Sequence, residues 1–183
     1  MPRYRAHLAQ YFPGFVVVNL AVGGYTTYQL QPSSYSAPAG RPAPVAGHNV
    51  DAALSLRPHA VIVNLPSNDQ AAGYAWSEQL ANYQRIASAV ASAHASLWVT
   101  TTQPRNLEDA SRRRELVTAR DALRQLFGER TPDFWSPLAL ADGKLKPELD
   151  CGDGIHLNDA GHALLARAMI DARIAEALLE KRN

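Results

Sequence analysis

The segment FVVVNLAVGGYTT, residues 15–27, joins an apolar, β-branched run to a pair of glycines. Residues 15–21 are apolar on both faces, which is typical of a buried strand in a parallel sheet. Gly23 and Gly24 stand where that strand is expected to end. Glycines at this point serve a tight turn, or they let a ligand approach the backbone amides closely. The rest of the sequence has to decide between these two interpretations.

Short apolar runs and helical patterns alternate along the rest of the chain. The runs at 60–65 and 96–101 predict two further buried strands, and 133–139 predicts a short fourth one. Helices are predicted over residues 3–12, 50–56, 76–95, 108–127 and 158–180. Asn49 is expected to cap the second of these helices, and Asn158 or Asp159 is expected near the cap of the last. The helical spacing also predicts which side chains of the two long middle helices face inward: Trp76, Leu80, Tyr83, Ile86, Ala87 and Val90, and then Leu116, Leu123 and Leu126. Such alternation predicts an α/β fold with a mostly parallel sheet and helices on both of its faces. Residues 32–47, rich in Pro, Ser, Ala and Gly, predict a long loop, which is usually functional or poorly ordered.

The composition is that of an ordinary globular chain. Its 183 residues, 46% of them hydrophobic, are enough for a core, and we expect a single domain over residues 1–183. A formal net charge of +1 provides no field that would attract nucleic acid, so no nucleic-acid partner is expected. No apolar stretch reaches the roughly 20 residues of a membrane span. With one cysteine and no signal-peptide core, a cytoplasmic location is expected, the alternative being export directed by a leader upstream of Met1.

Residues that suit hydrolytic chemistry follow the predicted strands. Ligands of parallel sheets bind outside the carboxyl ends of the strands, where Gly24 and Asn68 follow the first and second strands. Asp153 and His156 lie three residues apart in the loop before the last helix. A carboxylate beside an imidazole can accept its Nδ1–H and leave Nε2 free as a general base. Since the amides of Gly24 and Asn68 are donors of the kind that stabilise an oxyanion, these residues together predict a site for acyl transfer.

Each of these residues also has a simpler structural interpretation. The glycines can serve a turn alone. Asn68 with Asp69 can form a turn or a helix cap. Asp153 can be an ordinary loop carboxylate, and His156 can be a surface or capping histidine. The joint placement of all of them after predicted strands favours the functional interpretation.

Two other kinds of site are weaker hypotheses. Cys151 lies beside the Asp153–His156 pair, but it is too near His156 in the sequence to serve as its nucleophile, and no helix N-terminus is predicted beside it to activate the thiol. The acidic loop at 150–159 lacks the ligand spacing of an EF-hand, so no metal site is predicted there.

The sequence resembles the SGNH, or GDSL, hydrolase family over about residues 3–175. Gly24 in NLAVGGYTT and Asn68 in PSND look like the family's second and third blocks. The late segment DGIHLNDAGH, with Asp153 and His156, looks like the fifth. The resemblance implies a flavodoxin-like three-layer α/β/α sandwich that hydrolyses or transfers esters of small molecules, without a metal or organic cofactor. It implies Gly24 and Asn68 as oxyanion donors, with His156 as the general base and Asp153 as its orienting partner.

The family's first block is a central strand that ends at the nucleophilic serine, and no segment of residues 1–183 resembles it. Ser67 belongs to the oxyanion loop, so no residue is assigned as the nucleophile. We therefore expect residues 1–183 alone to hydrolyse esters near the background rate. Three explanations stay open: a start placed too late or a shortened chain, a remnant or binding module without catalysis, or a strand donated by another chain. Unpaired strand edges are expected to favour self-association.

A binding domain without catalysis is the alternative function. A flavodoxin-like domain for a nucleotide or another small ligand would carry a glycine-rich turn leading into a helix. Here Gly24 is followed by Tyr-Thr-Thr, with no G-x-G-x-x-G and no G-K-[ST], which disfavours this alternative. No motif encodes the substrate. Five aromatic residues near the candidate pocket loops form either an aromatic wall or core packing: Tyr25, Tyr28, Tyr35, Tyr74 and Trp76.

Overall fold

The computed structural model describes residues 2–65 and 67–180. Two short strands alternate with helices along these residues. The strands are β1 (Ala60–Val63) and β2 (Ser96–Val99), and they pair as a small parallel sheet. The helices are α1 (Pro2–Tyr11), α2 (Val50–Ser55), α3 (Asn68–Ala71), α4 (Trp76–Ser92), α5 (Ala110–Phe127), α6 (Asp159–Asp171) and α7 (Ile174–Glu180). Two single turns of 3-10 helix, Gly128–Arg130 and Pro147–Leu149, complete the list.

The described chain divides into two compact units. One unit is Leu20–Trp98, and the other combines the N-terminal segment up to Asn19 with the chain from Val99 onward. None of the helices in the described ranges has the length and apolar character needed to cross a membrane.

The unit Leu20–Trp98 is built on the buried face of α4. Tyr83, Ile86 and Val90 repeat at helical spacing and are almost fully buried, as the apolar pattern predicts. Leu97 and Trp98, successive residues of β2, are both buried, as expected for a strand that is covered on both faces. The predicted cap of α2 is confirmed, because the side chain of Asn49 accepts a hydrogen bond from the Ala52 amide at 3.0 Å.

The other unit packs its helices around leucine side chains. Leu116 and Leu123 are the buried positions predicted for α5, whereas Leu126, also predicted to face inward, is 41% exposed. A separate cluster consists of Leu138, Leu145, Leu149 and Leu157, with Leu164 and Leu165 of α6 packed against it. The single helix predicted over 158–180 is in fact two, α6 and α7. The chain breaks before α7, where Arg173 takes a left-handed φ of 48° that no α-helix accommodates.

The strand predicted over residues 15–21 is wrong. The structure assigns no strand to this segment, and Val16 and Val18 are 84% and 56% exposed. A β-branched run becomes a buried strand only where neighbouring strands supply hydrogen bonds and other elements cover its faces. Within the described residues this segment takes part in no sheet, so its local preference for extended backbone is not fixed by a ladder.

The fourth strand predicted over 133–139 is also wrong. The segment forms turns, and its ladder is reduced to one antiparallel bridge between Ala139 and Leu145. The side chain of Asp133 accepts hydrogen bonds from the amides of Trp135 and Ser136, each at 3.0 Å. These local bonds compete with a strand for the same amides.

The long loop at residues 32–47 is fixed to α4 by an arginine. Arg41 donates through Nε at 2.7 Å and through Nη2 at 2.9 Å to the carboxylate of Glu78, and its guanidinium lies 4.3 Å from the ring centroid of Tyr74. Tyr28 donates its hydroxyl to the same carboxylate at 2.6 Å, and its ring packs edge-on against Tyr74. The hydrogen bond from Arg41 lowers the pKa of Glu78 to about 2. These contacts support the packing interpretation for Tyr28 and Tyr74.

A buried carboxylate connects the segment after the glycine pair to α3. Asp69 is 2% exposed, and its oxygens accept the Thr27 amide at 3.0 and 3.2 Å and the Thr27 hydroxyl at 2.6 Å. The side-chain amide of Asn82 donates to the Thr27 hydroxyl at 2.9 Å, and the side-chain amide of Gln31 donates to the Thr27 carbonyl at 2.8 Å. Burial raises the pKa of Asp69 to about 6, although the hydrogen bonds from Thr27 act in the opposite direction.

The raised pKa of Asp69 predicts a stability that falls with rising pH. Between about pH 4 and pH 6 the folded chain binds a proton at Asp69 that the unfolded chain has already released, so the free energy of unfolding falls through this window. The difference between the ordinary pKa of an aspartate and the value of about 6 at Asp69 lowers the free energy of unfolding by up to about 3 kcal/mol across this window. Asp69→Asn carries no charge at any pH, and we expect it to lack this slope in urea unfolding measured at several pH values.

The exposed Asp51 of α2 supplies the matched control. Asp51→Asn removes one carboxylate without touching the buried network, so its unfolding free energy should follow the wild-type pH dependence. The relevant quantity is the difference between wild type and Asp69→Asn, because other titrating groups contribute equally to both. A difference that stays constant from pH 4 to pH 7 would contradict the assigned pKa.

Candidate active site

The predicted oxyanion donors both lie in the unit Leu20–Trp98. Asn68 is the first residue of α3, just after β1, and its side-chain nitrogen donates to the Tyr25 carbonyl at 2.9 Å. Gly24 has a φ of +82°, and a Cβ added there would meet no atom within 4 Å. A glycine is therefore required at position 24 by the left-handed backbone and not by lack of space.

Two sets of hydrogen bonds bring the glycine segment beside α3. Asn68 reaches the carbonyl of Tyr25, and Asp69 holds the amide and hydroxyl of Thr27. Consecutive side chains of one helical turn thus hold alternate residues of one loop. Because a side-chain amide carries two hydrogens, the bond to Tyr25 leaves one Asn68 hydrogen able to point to a ligand.

The predicted base and its partner lie in the other unit and contact each other directly. His156 Nδ1 is 2.6 Å from one carboxylate oxygen of Asp153. The other oxygen accepts the amides of Ile155 at 2.9 Å and His156 at 2.8 Å. The hydrogen bond from the His156 ring, followed by those from these two amides, holds the pKa of Asp153 well below its usual range. Asp153 is therefore an ionised acceptor that favours a proton on Nδ1 of the imidazole.

The Asp153–His156 pair is open to solvent. The side chain of His156 is 74% exposed and that of Asp153 is 46% exposed. An exposed ion pair gains little from its charges, since water screens them. The importance of this contact lies in its geometry, which fixes the orientation of the ring.

The loop that carries this pair is shaped by Asp150. One of its carboxylate oxygens accepts the amides of Gly152, Asp153 and Gly154 at distances of 2.9 to 3.2 Å. Gly152 and Gly154 have φ values of +112° and +71°, a backbone region that residues with a Cβ rarely enter. The sequence D-x-G-D-G thus folds back on its first carboxylate.

Two further contacts close the base of this loop. An antiparallel bridge pairs Asp150 with Leu157, and the Cys151 amide donates to the His156 carbonyl at 2.9 Å. Asn158 then caps α6, accepting the amides of Ala160 and Gly161 at 3.0 and 3.1 Å. The cap predicted at the start of the last helix is confirmed at Asn158.

Asn106 anchors the loop to the segment that follows β2. The backbone amide of Asn106 donates to the Gly154 carbonyl at 2.8 Å, and its side-chain oxygen accepts a hydrogen bond from the Leu145 backbone amide at 2.9 Å. A Cβ at Gly154 would lie 2.8 Å from the Cβ of Asn106, closer than the two could approach. Sequence reasoning missed Asn106 and Asp150. The glycines two and four residues after Asp150 are the signal that could have identified it.

The four predicted residues are thus two local pairs. Asn68 contacts the loop of Gly24 inside one unit, and Asp153 contacts His156 inside the other. The meeting of these two pairs at one site stays a prediction.

Residues 1–164 match the family model described as the GDSL-like Lipase/Acylhydrolase family. A comparison with curated proteins gave no match. Among solved structures, the psychrotrophic esterase EstA from Pseudoalteromonas sp., inhibited by monoethylphosphonate, is similar with a TM-score of 0.66 and 17% identity. The match covers 92% of this chain and 82% of EstA.

Two structures from Bacteroides are similar over a smaller part of their length. A GDSL-like lipase from Bacteroides thetaiotaomicron VPI-5482 has a TM-score of 0.50 and 18% identity, over 70% of this chain and 65% of that one. A protein from Bacteroides fragilis NCTC 9343 has a TM-score of 0.56 and 22% identity, over 68% of this chain and 65% of that one. The chain therefore spans less than two thirds of these two proteins.

These similarities confirm the predicted fold class, the α/β fold of SGNH hydrolases. The family match covers 164 of the 183 residues, and all four predicted site residues lie within it. The chain belongs to the GDSL-like lipase/acylhydrolase family.

Proposed function

We propose that this chain carries the base and the oxyanion donors of an ester hydrolase that acts on a small-molecule ester. The observation that carries the proposal is the 2.6 Å hydrogen bond from His156 Nδ1 to Asp153, made by a ring that is open to an incoming substrate. Membership in an acylhydrolase family supports the reaction class. The proposal requires both local pairs to serve one active site within a single domain over residues 1–183.

His156 is the proposed general base. With its Nδ1–H donated to Asp153, the imidazole keeps the Nε2 lone pair for a hydroxyl nucleophile. The hydroxyl loses its proton to Nε2 as its oxygen attacks the ester carbonyl. The resulting imidazolium is stabilised by the Asp153 carboxylate, whose low pKa keeps it ionised. The same proton then goes to the departing alcohol.

Gly24 and Asn68 are the proposed oxyanion donors. The carbonyl oxygen of the ester becomes negatively charged when the nucleophile attacks, and preorganised N–H groups stabilise that charge. The Gly24 backbone amide and the second Asn68 side-chain hydrogen are the groups offered to it. The contacts from Asn68 to Tyr25 and from Asp69 to Thr27 hold both donor segments before any substrate arrives.

No residue of this chain is assigned as the nucleophile. We propose that the complete reaction uses a serine hydroxyl beyond the matched segments and that residues 1–183 alone hydrolyse esters near the background rate. A small alcohol in solution can take the place of that hydroxyl. The base and oxyanion donors would then act on an alcohol that diffuses to the ester.

His156→Ala should abolish alcohol-dependent acyl transfer. We expect residues 1–183 to release little p-nitrophenolate from p-nitrophenyl acetate in buffer and to form methyl acetate faster when methanol is added. General-base catalysis contributes about 10²-fold or more, so the variant, which keeps the proposed oxyanion donors, should lose about 99% or more of the methanol-dependent rate. The measurement is methyl acetate formation alongside p-nitrophenolate release.

His162 provides the matched control for this experiment. It is an exposed histidine on α6 and makes no contact with Asp153 among the described residues, so His162→Ala should retain the wild-type rate. Acyl transfer that is equally fast in wild type and His156→Ala would contradict the role of His156. Substantial hydrolysis in buffer that survives His156→Ala would contradict the whole assignment of roles.

Asp153→Asn should disturb the tautomer of His156. In the wild type the carboxylate accepts from Nδ1, so the neutral ring should carry its proton there and leave Nε2 bare. An asparagine can present either its oxygen or its NH₂ group to Nδ1, and the preference is lost. Nitrogen-15 NMR of the ring at alkaline pH, assigned with His156→Gln, distinguishes the two tautomers.

The exposed Asp159 of α6 is the control for this measurement. Asp159→Asn leaves the Asp153 carboxylate in place, so the His156 ring signals should match the wild type. A wild-type ring that carries its proton on Nε2 would contradict the proposed mechanism. Identical tautomer populations in wild type and Asp153→Asn would contradict the orienting role of Asp153.

A further inference from the structure

A third potential ligand lies beside the Asp153–His156 pair. Cys151, Asp153 and His156 each offer one ligand atom, and these atoms all lie within 4.8 Å of one another. The three side chains are exposed. A thiolate, a carboxylate and an imidazole are the three side-chain groups that bind zinc in proteins.

The loop already holds these three residues in place. The Cys151 amide donates to the His156 carbonyl at 2.9 Å, next to the bridge between Asp150 and Leu157. Asp150 accepts the Asp153 amide at 3.2 Å, which fixes the middle of the set. A ligand set that is fixed by the folded backbone loses little conformational freedom when an ion binds, so the loop favours binding.

We propose that Cys151, Asp153 and His156 form a site for a divalent d-block cation of borderline softness, zinc in the first instance, whose occupation blocks the general base. A sulfur ligand disfavours magnesium and calcium, which prefer sets of oxygen ligands. Three protein ligands leave a fourth position of a tetrahedral ion open to water. The ion takes the place of the proton between His156 and Asp153. That proton moves through solvent to Nε2, so that the bound imidazole stays neutral, and the thiol proton passes to solvent.

The effect on activity rests on the proposed function of His156. The metal ion and the nucleophilic hydroxyl compete for His156. When the ion binds both the imidazole and Asp153, the ring no longer acts as a base that Asp153 orients. Binding of the ion itself does not depend on that function. The two parts of the inference can therefore be tested separately.

Cobalt provides a spectroscopic test of binding that needs no activity. The chain has one cysteine, so a thiolate-to-cobalt charge-transfer band in the near ultraviolet reports Cys151 alone. We expect wild type to show the band with one equivalent of Co²⁺ and to lose it when Zn²⁺ is added. Cys151→Ala should lack the band, whereas His162→Ala, outside the set, should keep it.

Affinity for Zn²⁺ is measured by competition with a chromophoric chelator. Removing one direct ligand should weaken binding by at least about tenfold, because loss of an outer-shell partner alone weakens metal sites by roughly 10–100-fold. We expect this loss in Cys151→Ala, Asp153→Asn and His156→Ala. All three positions are exposed, so we expect each variant to keep the wild-type fold, which circular dichroism checks.

The possible results separate the two proposals. A wild type without the cobalt band, or equal Zn²⁺ affinities in wild type and Cys151→Ala, would overturn the metal site. If Zn²⁺ binds as expected, it should suppress methanol-dependent acyl transfer in wild type at concentrations that leave Cys151→Ala active. If Zn²⁺ binds but leaves the His156-dependent acyl transfer unchanged, the proposed inhibition is overturned. If Zn²⁺ binds but the chain shows no His156-dependent acyl transfer at all, the proposed function is overturned and the metal site is not.

Discussion

The buried carboxylate of Asp69 is the interaction on which the organisation of the donor segments depends. A charged group at 2% exposure is unfavourable unless its oxygens are hydrogen-bonded. Here Thr27 satisfies them with both its amide and its hydroxyl, and Asn82 supports the hydroxyl from α4. Loss of the carboxylate would leave buried donors of Thr27 without an acceptor. The fixed position of the loop after Gly24 is a consequence of this satisfied network.

Asp150 organises the other pair in the same way but in a different environment. Its carboxylate also accepts hydrogen bonds from backbone amides, yet these donors lie within four residues of it in a loop that is mostly exposed. Hydrogen bonds in water contribute little stability each, so this loop relies on local closure and on glycines that adopt left-handed backbone. The anchor from Asn106 to Gly154 supplies the long-range contact that the local bonds lack.

The features predicted correctly from the sequence are those that depend on near neighbours. The caps at Asn49 and Asn158, the buried face of α4 and the contact between Asp153 and His156 follow from residues within four positions of each other. The family also follows from short motifs in a fixed order. These signals need no knowledge of distant parts of the chain.

The features that could not be predicted depend on partners far away in the sequence. The run 15–21 has strand propensity, but a strand exists only with a neighbour, and propensity alone does not supply one. The turn at Asp133 shows a local side chain taking the amides that a strand needs. Asp69 looks like a turn or cap residue, and only its bonds to Thr27, 42 positions away, show its role.

Exposure decides how the Asp153–His156 pair can work. Hydrogen bonds and charges aimed at a reacting group are much stronger where water is excluded. A ring that is 74% exposed has its orientation set by Asp153 but gains little electrostatic help from it. A substrate that covers the ring would remove that water and strengthen both the base and the imidazolium partner. The same openness exposes the His156 ring, beside the Cys151 thiol, to metal ions in solution. Under the proposal above, the base is preserved only while the free metal concentration stays below the dissociation constant of that site.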